Sequence, residues 1–197
     1  MGAKVKISDT CTMNQFVVRR AEPNDYKAVA EISRKTFYES WRYLYSEEDL
    51  QIYMAEVFSE EQIKKDLEAI TNIFLLAETD EKIIGYTKLC TDSILSGDNL
   101  ADWMLILLKE FSRSKAMEME RLYVLKEYHK QKAGKQLMDE SISIARKQDF
   151  DWLWLGVSPD NLKAMAFYKS YGFIQVGTKP YKIGNTVDFD YLMKLRI

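Results

Sequence analysis

Apolar positions along the chain change period several times, and the changes divide it into elements. FVVRR at residues 16–20 has strand character. After the Glu22-Pro23-Asn24-Asp25 turn, where Asn24 or Asp25 is the N-cap candidate, Val29, Ile32, Ser33 and Phe37 recur at helical spacing. Residues 38–58, rich in Tyr and Glu, predict one or two short helices, and Ser59-Glu60-Glu61-Gln62 caps another that runs to about Ile70. Two β-prone runs, residues 73–79 and 82–91, flank Asp80-Glu81 and predict a hairpin in which Gly85 marks a bulge or a close backbone approach. Within residues 92–115 a polar turn precedes LADWMLILLKEF, a predicted helix that either caps a pocket or packs outside the sheet.

A strand ending near Leu125 follows, then a helix with Leu137, Met138, Ile142, Ile144 and Ala145 at helical spacing. DWLWLGV has the continuous apolar character of a strand buried on both faces, and NLKAMAFYKSYGF a helix stopped by Gly172. Closing strands at residues 173–177 and 188–195 surround a loop containing Gly184-Asn185. Residues 1–14 have no periodicity, so the predicted domain occupies 15–197. Strands and helices in this order predict an α/β fold, a mixed sheet flanked by helices.

Composition narrows the function classes. A net charge of −2 and a pI near 5.6 exclude a nucleic-acid binder held by bulk charge, and favour a cationic or small-molecule partner. The longest apolar run, residues 103–108, is far too short for a bilayer, and MGAKVKISDT has no apolar segment of the secretory kind. Two cysteines and one histidine make neither a disulfide framework nor a metal site. The expected compartment is the cytoplasm.

One stretch carries candidate chemistry by itself. Between the strand ending at Leu125 and its helix, residues 129–135 hold Lys130, Lys132, Gly134 and Lys135. A helix N-terminus offers free amides and a positive dipole, so a basic turn there suits phosphate. The same turn also reads as a solvated connection. Likewise Trp41, Tyr43, Tyr45 and Tyr53 read either as core or as the wall of a pocket for a cation.

ERLYVLKEYHKQKAGKQLMDESI, DWLWLGVSPDNLKAMAFYKSYGF and FVVRRAEPNDYKAVAEI together resemble one family, the GCN-five-related N-acetyltransferases (GNAT), over residues 14–197. The spacing from Asn161 to Tyr168 and on to Gly172-Phe173 is the more specific match. Within the family the chain looks most like PaiA-like bacterial spermidine/spermine N-acetyltransferases. The resemblance implies a single GNAT domain, a mostly antiparallel sheet of about seven strands whose parallel central strands splay apart. It also implies acetyl-coenzyme A as co-substrate, no metal, and direct transfer to a primary amine such as a polyamine; a homodimer is left open.

Residue by residue, the resemblance implies that the backbone of Leu122, Tyr123 and Val124 bonds the pantetheine arm. Amides of His129, Lys130, Gln131, Lys132, Ala133, Gly134 and Lys135 would hold the pyrophosphate, and Asn161 the arm. Tyr168 would protonate the departing thiolate. The chain departs from the family pattern at His129 and at Lys132, where Gln or Arg and Gly are usual. Gly156 stands where some relatives carry a basic Glu, so Glu120 is assigned the base through water, or else pairs with Arg121. Glu39, Glu47, Glu48, Glu118 and Asp190 are candidates for a second charge on the acceptor. Acetylation of a protein N-terminus or lysine, a non-catalytic coenzyme A-binding module, and an interaction domain docking through residues 103–108 are the alternatives.

Overall fold

The computed structural model describes residues 16–92, 111 and 115–197. The segment 1–14 and the predicted helix and docking face within 92–115 lie outside the described residues, apart from their edges. A seven-stranded sheet runs β1-β2-β3-β4-β5-β7-β6. Its strands are β1 (Val17–Arg20), β2 (Asn72–Glu78), β3 (Ile83–Cys90), β4 (Ala116–Val124), β5 (Trp152–Val157), β6 (Ile174–Ile183) and β7 (Thr186–Arg196). The helices are α1 (Tyr26–Trp41), α2 (Glu47–Val57), α3 (Glu60–Glu68), α4 (Ala133–Lys147) and α5 (Leu162–Ser170).

Neighbouring strands are antiparallel except β4 and β5, which run parallel because α4 carries the chain back between them. Two apolar layers sandwich the sheet. Against one face, α4 buries Leu137, Met138, Ile142 and Ala145 with Met117, Met119, Leu153 and Leu155. Against the other, Val29, Ile32 and Phe37 of α1 and Leu50 and Met54 of α2 cover Phe74, Leu76 and Tyr86.

The predicted hairpin is present as β2 and β3, and Gly85 serves both expected purposes. The register slips opposite it, at Ala77/Glu78, and a Cβ at Gly85 would lie 2.7 Å from the Tyr123 carbonyl. The closing hairpin differs from expectation. Residues 178–187, expected mostly as loop, are strand up to a two-residue turn at Gly184-Asn185. The alternation along β6 is weakly apolar because this is an edge strand, and Pro180 is tolerated there. What fixes the turn is remote in sequence: Asp49 on α2 accepts bonds from the Asn185 amide (2.6 Å) and the Thr186 hydroxyl (2.9 Å). Gly184 has φ +55°, and a Cβ there would lie 2.5 Å from Asp49 Oδ1.

These bonds, with the Ser46 hydroxyl, hold the Asp49 carboxyl below the usual range. A depressed folded-state pKa contributes stability above the unfolded pKa, and that stability is lost as pH falls through the folded value. Asp49→Ala is therefore expected to lower the melting temperature by several degrees at neutral pH. The gap from the parent protein should narrow in acid, below the ordinary Asp range. Thermal melts across pH check both.

Candidate active site

The site begins where two strands part. β4 and β5 pair only from Ala116/Trp152 to Glu118/Trp154. Beyond that point the β5-facing edge of β4 has no strand beside it among the described residues, while its other edge stays paired with β3 as far as Val124. The register of β3 and β4 slips between Lys88 and Leu89, leaving Glu120 as the extra residue of a bulge. The bulge changes which residues face which layer. Met117 and Met119 face α4 before it; Leu122 and Val124 do so after it, and Tyr123 turns to the opposite layer. The parting strands open into a cavity of about 830 Å³.

One end of the cavity is basic. It is lined by His129, Lys130, Lys132, Ala133, Gly134 and Lys135, at the N-terminus of α4. No side chain caps that helix; Lys132 is its N-cap, in the left-handed region at φ 69°, and Lys130 is there too at φ 67°. Both conformations favour glycine, and a side-chain-bearing residue costs about 1–2 kcal/mol in each. The Gly134 that is present is helical and needs no such freedom. The His129 ring donates from Nε2 to the Val124 carbonyl (2.9 Å). Gln131 is not among the lining residues; its amide turns back to the Glu127 carbonyl. Lys135 is paired with Asp139 (2.5 Å).

Midway along the cavity lie Leu122, Tyr123, Val124, Asn161 and Tyr168. Asn161 Oδ1 caps α5 through the Ala164 amide (3.1 Å), so this residue positions the helix that carries Tyr168. Tyr168 packs against Phe167 and Phe173. Burial, reinforced by the charge of Asp190, raises its phenol above the ordinary range and keeps it protonated.

The other end is aromatic and mixed in charge. Trp41, Tyr53, Phe58, Tyr123 and Tyr181 form its walls, tied together by Trp41 Nε1 donating to the Tyr123 hydroxyl (3.3 Å) and by the Tyr181–Tyr53 hydroxyl pair (2.8 Å). Trp41 and Tyr53 thus serve as both core and wall and Tyr45 packs on the core, whereas Tyr43 is exposed and does neither. Of the acidic candidates, Glu39 and Asp190 line the cavity; Glu47 and Glu48 do not. Glu118 lies behind, with Lys179 Nζ 3.5 Å from its Oε1.

Glu120 also lines this end, held between Lys88 (2.8 Å) and Arg121 (2.8 Å). Lys88 bonds Asp66 as well (2.9 Å), and Arg121 lies over the Phe58 ring. Burial pushes the Glu120 carboxyl up, but Arg121 and Lys88 outweigh it and hold it at about 2. So acidic a group accepts protons poorly. Cys90 completes the cluster, donating to Glu120 (3.2 Å), and burial raises its thiol, making it unreactive. Lys88 and Asp66 escaped sequence reasoning because each lies on a separate element and is only paired by the fold.

Gly156 stands on β5 opposite this end. A Cβ there would meet Lys179 Cε at 2.6 Å and Asp190 Oδ2 at 3.0 Å. Asp190 is half-buried, and burial lifts its carboxyl to about 6 although Lys179 opposes the rise. Lys179 also carried no signal of its own; only the β6–β7 register, which sets it opposite Asp190, brings it here.

A parted pair of parallel strands thus meets an open helix N-terminus at one side of the cavity. The model of the Acetyltransferase (GNAT) family matches residues 27–173, and the chain belongs to that family. It is an N-acetyltransferase with acetyl-coenzyme A as co-substrate. It is 26% identical over 182 residues to an uncharacterized N-acetyltransferase of Lactobacillus delbrueckii subsp. lactis, covering 92% of this chain and 98% of that one. It is 24% identical over 181 residues to a spermidine N(1)-acetyltransferase of Thermoplasma acidophilum, covering 90% and 94%. The fold matches the crystal structure of the PaiA N-acetyltransferase from Thermoplasma acidophilum in complex with coenzyme A, with TM-score 0.68 and 22% identity, over 92% of this chain and 99% of that one. No helix among the described residues is long and apolar enough to cross a membrane.

Lys132→Gly removes a strained backbone and a cation together. Stability is expected to rise by about 0.5–1 kcal/mol, the left-handed penalty less the added freedom of the unfolded chain. Coenzyme A binding should become weaker at low salt and less salt-dependent. Urea melts and binding isotherms at two ionic strengths check the pair of effects.

Proposed function

We propose that the chain acetylates a small primary amine, and that its acceptor is a polyamine such as spermidine or spermine. The observation that carries this reading is the single cavity joining the free edge of β4, the open N-terminus of α4, Tyr168 and an aromatic, carboxylate-bearing end. Acetyl-coenzyme A, when bound, supplies an activated acyl thioester. Backbone groups on the gap-facing edge of residues 122–124, other than the Val124 carbonyl that already accepts from His129, take the pantetheine arm as an added strand, with Asn161 alongside. The amides opening α4, with Lys130 and Lys132, take the pyrophosphate. A backbone N–H of the same β4 stretch stabilises charge developing on the acyl oxygen. Tyr168 holds the proton that the departing sulfur needs, and its raised pKa ensures that the proton is present at neutral pH.

Support for a polyamine comes from the aromatic walls, which suit an ammonium on an aliphatic stem, from Glu39 and Asp190 on the lining, and from the spermidine-acetylating relative of nearly equal length. Glu120 contributes less than its position suggests, since Lys88 and Arg121 already claim its charge.

Thioester consumption is to be measured with spermidine, spermine, an aminoglycoside and an alanine-terminated peptide, alongside coenzyme A binding. Spermidine or spermine should be used best. Preference for the peptide would make this a protein acetyltransferase, and binding without turnover of any amine would make it a regulatory module. Tyr168→Phe should lower kcat by about 10²–10⁴-fold with little change in coenzyme A affinity. Unchanged kcat would remove Tyr168 from the mechanism.

A further inference from the structure

The acceptor's nitrogen reaches the site as an ammonium, whose pKa is near 10 in water, and it must lose a proton before its lone pair can attack. We infer that Asp190 is the general base of this transferase, reaching from β7 into the space that Gly156 leaves open on β5; this rests on the acetyltransferase reading above.

The geometry argues first by exclusion of volume. Gly156 is the position on β5 where some relatives carry a Glu. Here that space is taken by other side chains: Lys179 Cε lies 2.6 Å and Asp190 Oδ2 3.0 Å from where a Cβ would stand, so a side chain at 156 would have to displace them. The carboxylate has not been lost; it arrives from the next strand, through the hole a glycine makes. Gly156 pairs with Leu192, so Asp190 sits two residues along β7 and leans back over β5. Asp190 lines the cavity that Tyr168 also lines, and it is the charge that most perturbs the Tyr168 phenol. Base and acid therefore share one chamber, on strands and helix that are separately anchored.

Chemistry then chooses between the two carboxylates at this end. Glu120 is clamped by two cations and held at about 2, whereas Asp190 is lifted by burial to about 6. The two carboxyls are displaced in opposite directions, which makes Asp190 the better proton acceptor of the pair. Its surroundings account for the intermediate value. Lys179 on β6 faces it and favours the ionised form, while Asp188 on β7 disfavours it. Tyr45, Tyr53, Tyr168 and Tyr181 complete the ring of titratable neighbours and are all neutral at pH 7.

In the step itself the ammonium gives one proton to Asp190, and the freed lone pair forms the C–N bond at the acyl carbon. Collapse breaks the C–S bond. Tyr168 protonates the leaving sulfur and regains a proton from the product nitrogen. The products are the acetamide and the coenzyme A thiol, with one proton left on Asp190. Lys179 favours return of that proton to water, because it lowers the carboxyl's proton affinity.

Two independent readouts test this. In the ligand-free protein, NMR of isotopically labelled aspartate carboxyls should show one group titrating near pH 6, absent in Asp190→Asn and shifted upward in Lys179→Met. In kinetics with spermidine, or with whichever panel amine is used best, wild-type kcat/KM should level off above about pH 6. Asp190→Asn should lose about 10²–10⁴-fold at pH 7 and instead climb tenfold per pH unit toward the amine's own pKa, with coenzyme A affinity kept. A carboxyl titrating at the ordinary Asp position, or an Asp190→Asn profile that keeps its plateau while the wild type turns over, overturns the assignment and leaves the acetyltransferase reading standing. Coenzyme A binding with no amine acetylated overturns both. Should Asp190→Asn fail to bind coenzyme A, Lys179→Met decides: an acidic limb that does not move up overturns the proposal.

Discussion

Everything chemical in this protein depends on a pair of parallel strands that stop bonding to each other. β4 and β5 share three residues of ladder and then part, and the unpaired edge so created is costly unless something covers it. The fold tolerates this because both strands are pinned on their outer edges, β4 by β3 and β5 by β7, and because the α4-side apolar layer holds residues of both, Met117 and Met119 with Leu153 and Leu155. The Glu120 bulge lies just past the parting point. It reverses which side chains meet α4, so Tyr123 faces the aromatic end while Leu122 and Val124 back onto the helix.

Charge is arranged differently at the two ends. At the α4 end the lysines stand on a strained backbone, and their reach into solvent is obtained at the expense of folding energy. At the other end the charges are matched, Lys88 and Arg121 with Glu120 and Asp66, and Lys179 with Glu118. Removing one partner of a buried set strands the rest, which is why such clusters persist even where they add little net stability. Asp190 differs from its neighbours, since burial rather than pairing dominates its titration.

Much of the basic end and middle of the cavity could be read from sequence because it is local. Strand, basic turn and helix follow one another from residue 116 to 147, and the Asn161–Tyr168–Gly172 spacing lies within a single helix and its caps. The glycine at φ +92° in position 172 is where a helix stop was expected. Three things were not legible. The left-handed lysines contradict the residue preference for that conformation, so no local signal announces them. The length of β6 is masked by its edge position. The exchange of Gly156 for Asp190 depends on the register of β5 with β7 and of β7 with β6, a property of pairing rather than of either segment.

The Asp49 clamp on the β6–β7 turn bears on how the molecule comes together. The basic end and middle of the cavity draw on one continuous run, residues 119–168, whereas the aromatic end is enclosed by contacts such as Asp49–Asn185, across 136 positions. Loop closure over such a span is entropically late, so local contacts form before it. Contacts within residues 119–168 are therefore expected to form before the final hairpin docks against α2. Variation in that hairpin, and in the α1–α2 segment it meets, can therefore reshape the aromatic end of the cavity while the basic end folds as before.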